Sequence, residues 1–161
     1  FAEKVVTDKK HNGLISIKSG KVEFKDGQPV LAEIVLDMTS LSNVDIESPK
    51  YKKKFEGHLN SADFFDTAKF PTAKIVADKF TAVDKSKFNV VGKLTIKGIT
   101  QPIAFVGLLK EAGGTKSVDA RFEFNRAKFN VQYGSGAFFK GLGDKLISHT
   151  VKVKGHLVLS K

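Results

Sequence analysis

Few residues in this 161-residue chain have the types and spacing to do chemistry. The four histidines, His11, His58, His149 and His156, stand at no metal-ligand spacing. His149 and His156 differ in parity on one alternating segment, so they point to opposite faces. His58 and the nearby Asp63 read as a polar clasp rather than an acid–base pair. Asp63 and Asp66 are paired carboxylates, but two Phe lie between them in a turn-like stretch. Capping a turn is the work expected of them, not glycoside hydrolysis. Ser135 lies in Gly134-Ser135-Gly136, which is not a G-x-S-x-G elbow, and no His is close to it in sequence. The same glycines do not complete G-x-G-x-x-G, because Phe139 holds the last position, and the chain has no Walker-type loop. With no Cys, disulfides, thiolate catalysis and Cys-ligated zinc are excluded. The chain reads as a protein that is not an enzyme and holds no metal.

What is abundant is apolar ring surface: 14 Phe against 2 Tyr and no Trp. Phe offers a large face with no polar tip to satisfy, a lining that suits a hydrocarbon. Several of these rings fall in the stretch YKKKFEGHLNSADFFDTAKFPTA, residues 51 to 73. Tyr51, Phe55 and Leu59 recur at helical spacing. Ser48-Pro49 is a helix start, with Ser as N-cap and Pro at the first helical position. Gly57 is expected to weaken or end the helix, and Ser61 to cap a second short turn. Phe64, Phe65 and Phe70 follow. So apolar a segment covers something: either it plugs a core, or it is a lid over a ligand cavity.

The elements that must position these groups are strands. Phe1–Val6 reads as a strand entered in mid-course, and His11-Asn12-Gly13 as a turn. Leu14–Lys18 and Lys21–Phe24 read as short strands separated by Ser19-Gly20. Val30–Leu41 puts Val30, Ala32, Ile34, Leu36 and Met38 on one face. Ala73–Val83 follows the helical stretch with a weaker pattern. Lys87–Lys97 alternates most cleanly, with Phe88, Val90, Gly92, Leu94 and Ile96 together. Pro102–Lys110 is apolar on both faces, which sets it against an element outside the sheet. Ser117–Asn125 and His149–Leu159 alternate again. Asp26-Gly27 and Gly113-Gly114 are turn signals. Many strands with one apolar face and short turns predict an all-β, antiparallel up-and-down barrel of about eight strands, with one helical lid between strands. Such a barrel has room inside for packed side chains or one small ligand.

The length fits one domain over 1–161. No apolar run reaches the roughly 20 residues of a membrane helix. Lys and Arg number 27 against 17 acidic residues, a formal charge of +10. That favours anionic surfaces, a membrane surface among them. The rings and the charges fall on opposite strand faces, so no stacking platform forms and no nucleic acid is expected.

Three blocks carry a family resemblance: GHLNSADFFDTAKFPTA at 57–73, GKLTIKGITQPIAF at 92–105 and YGSGAFFKGLGDKLI at 133–147. Together they resemble the YceI-like family. The resemblance implies a lipocalin-like barrel that binds a polyisoprenoid or similar long-chain lipid, an isoprenoid quinone or a polyprenyl chain among them. It also implies export to the periplasm. Family members carry a further strand ahead of the position of Phe1, so a truncated barrel or a homodimer completed at that edge is expected.

The reading is non-catalytic binding, with transport or storage, of a long apolar lipid inside the barrel. Its expected ligand-binding residues are Ile34, Leu36, Phe55, Phe64, Phe65, Phe88, Val90, Leu94, Ile96, Phe105, Phe122, Phe124, Tyr133, Phe138, Phe139 and Val153. The last loop, with Tyr133, Phe138, Phe139, Lys140 and Lys145, would form a rim where rings meet the ligand and Lys meets a polar head. Two alternatives stay open: a stress or scaffold barrel with a filled interior, and a basic nucleic-acid-binding β domain.

Overall fold

The structure is a computed structural model that describes residues 2–4, 10–143 and 146–159. Seven long strands dominate: β3 (Gly13–Lys25), β4 (Gln28–Asn43), β5 (Thr72–Ala82), β6 (Lys87–Ile96), β7 (Ile99–Ala112), β8 (Thr115–Asn125) and β9 (Ile147–Leu159). Two short ones, β1 (Ala2–Lys4) and β2 (Lys10–His11), precede them, and one helix, α1 (Pro49–Asn60), joins β4 to β5. The strand order is β2-β1-β9-β8-β7-β6-β5-β4-β3, each neighbour antiparallel. This is the up-and-down barrel expected from alternation. Three hairpins turn on two residues with positive φ: Asp26-Gly27, Lys97-Gly98 and Gly113-Gly114. Their twist matches that of the strands they join. On β6, Gly92 is required by close packing, since a Cβ there would lie 2.3 Å from the Val76 carbonyl oxygen.

Several local expectations are corrected. The two short strands around Ser19-Gly20 are one strand, β3, which absorbs the interruption as a shift of register between Ile17 and Ser19. A second shift opposite Val30 turns Pro29 inward and leaves Val30 41% exposed. Bulges of this kind reverse parity without ending a strand. Asn12-Gly13 makes no hairpin; Gly13 pairs with Asn43 at the start of β3. Gly57 does not stop α1, which runs on to Asn60. Ser48 and Pro49 begin it as expected, although the Ser48 hydroxyl makes no capping bond. Tyr51 faces solvent, 66% exposed. The outer apolar face of β7 is not buried either: Val106 and Leu108 are each 38% exposed. Of the strand expected over Phe1–Val6, Ala2–Lys4 forms β1, and Phe1, Val5 and Val6 lie outside the described residues.

Among the described residues the barrel is not closed by a ladder. On β9, β1 pairs among the described residues with the first five positions, Ala2 with Val151 and Lys4 with Ile147. Beyond them β9 runs beside β3 with no ladder between the two among the described residues. The Leu157 side chain reaches toward Gly20 on β3, where an added Cβ would lie 3.6 Å from its methyl.

Candidate ligand-binding cavity

The inner faces do two different things along the barrel axis. At the end where α1 sits, they pack solid. Met38, Phe64, Phe65, Ala73, Leu94, Ile96, Ile103, Phe129 and Val131 form one buried cluster. Phe64 and Phe65 meet edge to face at 5.0 Å, and Phe124 and Phe129 at 5.5 Å. At the hairpin end, the same alternation encloses a cavity of about 230 Å³. Its wall draws Val22 and Phe24 from β3, Ile34 and Leu36 from β4, Phe80 from β5, Phe88 and Val90 from β6, Phe105 and Leu109 from β7, Val118 and Phe122 from β8, and Val153 and Leu157 from β9. Phe105 and Phe122 lie 5.6 Å apart on this wall. A second space of about 790 Å³ lies along the seam, and Ile17, Val22, Phe24, His156 and Leu157 line both.

The sixteen expected residues divide accordingly. Ile34, Leu36, Phe88, Val90, Phe105, Phe122 and Val153 are on the cavity wall. Phe64, Phe65, Leu94 and Ile96 are in the packed cluster, with Phe124 against it, and Leu36, Phe105 and Phe122 of the wall also touch that cluster. Phe55 lies 4.7 Å from the His11 ring, and Tyr133 lies 4.2 Å from the His58 ring. Phe138 and Phe139 are 42% and 49% exposed. The helical stretch and the glycine-rich loop therefore do not cover the cavity; they stopper the opposite end. Lys145 lies outside the described residues. The expectation missed Val22, Phe24, Phe80, Leu109, Val118 and Leu157. Parity marks Val118 and Leu157, whereas the shifts within β3 hide its inward set.

The stopper is held by a residue the sequence did not mark. Arg126, fully buried, donates to four main-chain carbonyls: Nε to Ser148 at 2.9 Å, Nη1 to Val131 and Tyr133 at 3.1 and 2.9 Å, and Nη2 to Ile147 at 3.1 Å. Burial pushes its pKa down to about 10. Lys97, in the β6–β7 turn, donates to the carbonyls of Ala62 at 2.9 Å and Asn130 at 3.1 Å. Burial lowers its pKa, with Asp66 and Asp63 opposing the shift. Glu56 of α1 accepts the Asn43 amide at 2.8 Å, fastening the helix to the end of β4. Asp63 serves through its main chain, its carbonyl accepting the amides of Gln132 and Tyr133. No His58–Asp63 clasp forms among the described residues.

Ser135 does have a histidine, one that β9 brings from 14 residues away: its Oγ lies 2.8 Å from His149 Nε2. The pair has the look of a nucleophile and its base. Yet Ser135 has no exposed surface, and no described carboxylate orients His149. The contact pins the glycine-rich loop to β9. Among the described residues no cluster of three His, Cys, Asp or Glu could hold a metal ion.

An antiparallel up-and-down barrel, stoppered at one end and hollow and apolar at the other, has the architecture of a lipocalin-like binding barrel. The family model of the YceI-like domain matches residues 2–159, and the chain belongs to the YceI-like family. It is 27% identical over 106 residues to a UPF0312 protein of Pseudomonas putida, 66% of this chain and 53% of that protein. It is 34% identical over 80 residues to a UPF0312 protein of Vibrio vulnificus, 50% of this chain and 39% of that one. The chain spans about half the length of the curated relatives it matches. Among solved structures it is similar to Burkholderia cenocepacia BcnA, with a TM-score of 0.72 and 26% identity over 88% of this chain and 83% of that one. A polyisoprenoid binding domain from Saccharophagus degradans shares the fold at a TM-score of 0.58 and 16% identity, covering 88% and 82%.

Proposed function

We propose that the protein binds a long apolar lipid of the polyisoprenoid class, without catalysis, by taking its chain into the hollow end of the barrel. The observation that carries this reading is the apolar cavity between Phe24, Phe80, Phe88, Phe105 and Phe122. Rings and aliphatic side chains around a space of this kind favour a hydrocarbon over water. Its volume of about 230 Å³ is below the roughly 300–1,000 Å³ of sites that bury a drug-sized ligand, so a long chain is held in part. The kinship with a polyisoprenoid binding domain supports the choice of lipid. Carriage or storage of an isoprenoid quinone or polyprenyl chain in the periplasm belongs to the same proposal, with the net charge of +10 favouring brief contact with anionic membrane. Native mass spectrometry of protein purified from cells that make prenyl lipids tests it. A population heavier by the mass of one prenyl lipid is expected. Protein that stays at its bare mass after incubation with prenyl lipids contradicts it.

A further inference from the structure

β7 is the middle strand of the sheet, and its inner residues Ile103, Phe105 and Leu109 serve the packed cluster and the cavity. Its outer residues Pro102, Ala104, Val106 and Leu108 are apolar as well, and all are exposed. Val91 of β6 joins them, exposed and opposite Ala104 in the ladder. A contiguous apolar surface of this kind, rimmed by polar groups, marks an interaction site. The rim is cationic. The ladder sets Lys93 beside Pro102, Lys79 beside Val91, Arg121 beside Val106 and Lys87 beside Leu108. None of these cations makes an ion pair among the described residues. The nearby acids are matched elsewhere: Glu33 with Lys74 at 3.4 Å, Glu123 with Lys152 at 3.5 Å, and Asp119 with Lys110 and His156 at 2.6 Å each. Asp78, in the β5 bulge, is left as the acid of this face without an ion pair among the described residues.

The occupant must suit an apolar stripe and an anion-seeking rim together. A second copy of this chain fails on charge, because a two-fold contact would set Lys93, Arg121 and their counterparts against one another. A folded partner is poorly served, since Lys is depleted at protein interfaces and the stripe holds no aromatic anchor. A lipid surface needs no matching shape. Lys and Arg reach its anionic headgroups while short apolar side chains enter between them.

We propose that the outer face of β6 and β7 docks on an anionic membrane, with Val91, Val106 and Leu108 at the headgroup level and Lys79, Lys87, Lys93 and Arg121 on the headgroups. This rests on the lipid-binding reading for its purpose, and gives the membrane contact in that reading a definite face. Docking needs no occupied cavity, so the two fail separately.

Sedimentation with vesicles tests it, comparing phosphatidylcholine alone with phosphatidylcholine carrying about one third phosphatidylglycerol. The chain is expected to bind the anionic vesicles and to stay in solution with the neutral ones. Lys93→Gln with Arg121→Gln is expected to weaken binding about 25-fold, at about fivefold for each cation. Lys50→Gln with Lys53→Gln removes the same charge from exposed positions of α1, and is expected to weaken binding less than about threefold. Val106→Thr with Leu108→Thr suits a strand and is expected to weaken binding about fivefold. Val106→Cys supplies a unique thiol for an environment-sensitive fluorophore, since the chain has no other Cys. Its emission is expected to shift to the blue on anionic vesicles, and the same label on Lys53→Cys to stay unshifted. Equal losses in the two charge pairs would assign binding to net charge and overturn the face. An unshifted label on Val106→Cys overturns it as well. Equal binding to neutral vesicles overturns the anionic choice. A dimer by light scattering that Val106→Thr with Leu108→Thr dissociates gives the face to a second copy and overturns the proposal. Failure to bind anionic vesicles leaves the face to a protein and overturns the membrane, while a prenyl lipid in the native mass spectrum keeps the cavity reading intact.

Discussion

The two ends of this barrel are built from the same strands and the same alternation, yet one is solid and the other hollow. β6 shows the difference within ten residues. Leu94 and Ile96, at one end, are buried among Phe64, Phe129 and Val131, which arrive from outside the sheet. Phe88 and Val90, at the other, face only the inner sides of neighbouring strands. A β-barrel of this size has an interior that side chains can fill or that can hold one small ligand. Here Phe64 and Phe65 from the turns after α1, with Phe129 and Val131 from the segment after β8, fill one end, and Arg126 ties that segment to β9. The cavity is where that filling stops.

Truncation should therefore cost very different amounts at the two ends. Phe129→Ala removes a ring from the packed end and is expected to cost about 3–5 kcal/mol. Phe122 borders the cavity on one side and the packed cluster on the other, so Phe122→Ala is expected to cost less, about 2–3 kcal/mol, because one side of the ring has fewer contacts to lose. Denaturant unfolding of both variants checks this. Equal costs would mean the hollow end is collapsed in solution. Arg126→Met removes a buried donor from four main-chain carbonyls and is expected to cost about 3 kcal/mol, with lipid binding preserved in the protein that stays folded. Loss of binding in that folded protein would join the two ends functionally.

Additions should show the reverse sign. Ala120→Leu points into the cavity and is expected to stabilise by about 0.5–1 kcal/mol while weakening lipid binding. Ala73→Leu forces the same methyl groups into the packed cluster and is expected to destabilise by about 1–3 kcal/mol. Thermal unfolding beside a lipid titration distinguishes them, and a shared sign would erase the contrast.

The smallest effect concerns acid. Burial pushes the Asp45 carboxyl up, but hydrogen bonds from the Asn43 side chain, the Asn12 amide and His11 outweigh it, so the pKa lies below the ordinary 3.8. A carboxyl lowered by folding stabilises fully above its unfolded pKa and loses that effect as pH falls through the folded value. Asp45→Asn should thus destabilise slightly at pH 6 and make less difference near pH 2. An undiminished difference at pH 2 would show that the charge is not what matters.

How much of this was legible beforehand follows from which rules are local. Alternation is local, and it puts Phe88, Val90, Leu94 and Ile96 on one face, as the structure does. Whether that face meets a filler or a void depends on where α1 and the glycine-rich loop land, and no strand carries that information. The same limit hid Arg126. Its guanidinium finds partners at Val131, Tyr133, Ile147 and Ser148, which are joined only when the loop folds back. Ser135 and His149 meet for the same reason. In β3 the misreading was of another kind: Ser19-Gly20 looks like a turn, but β4 pairs continuously past it and absorbs it as a bulge.

The central claim is that the hollow end holds a hydrocarbon chain, and chain length tests it most directly. Prenyl alcohols differing by one five-carbon unit should gain roughly 0.3 kcal/mol per carbon, about 1.5 kcal/mol or near tenfold in affinity per unit. The gain should level off once the cavity and seam are full. Affinity that climbs and then flattens is the predicted result. Affinity independent of length would contradict it, because the chain would then not be what the barrel holds.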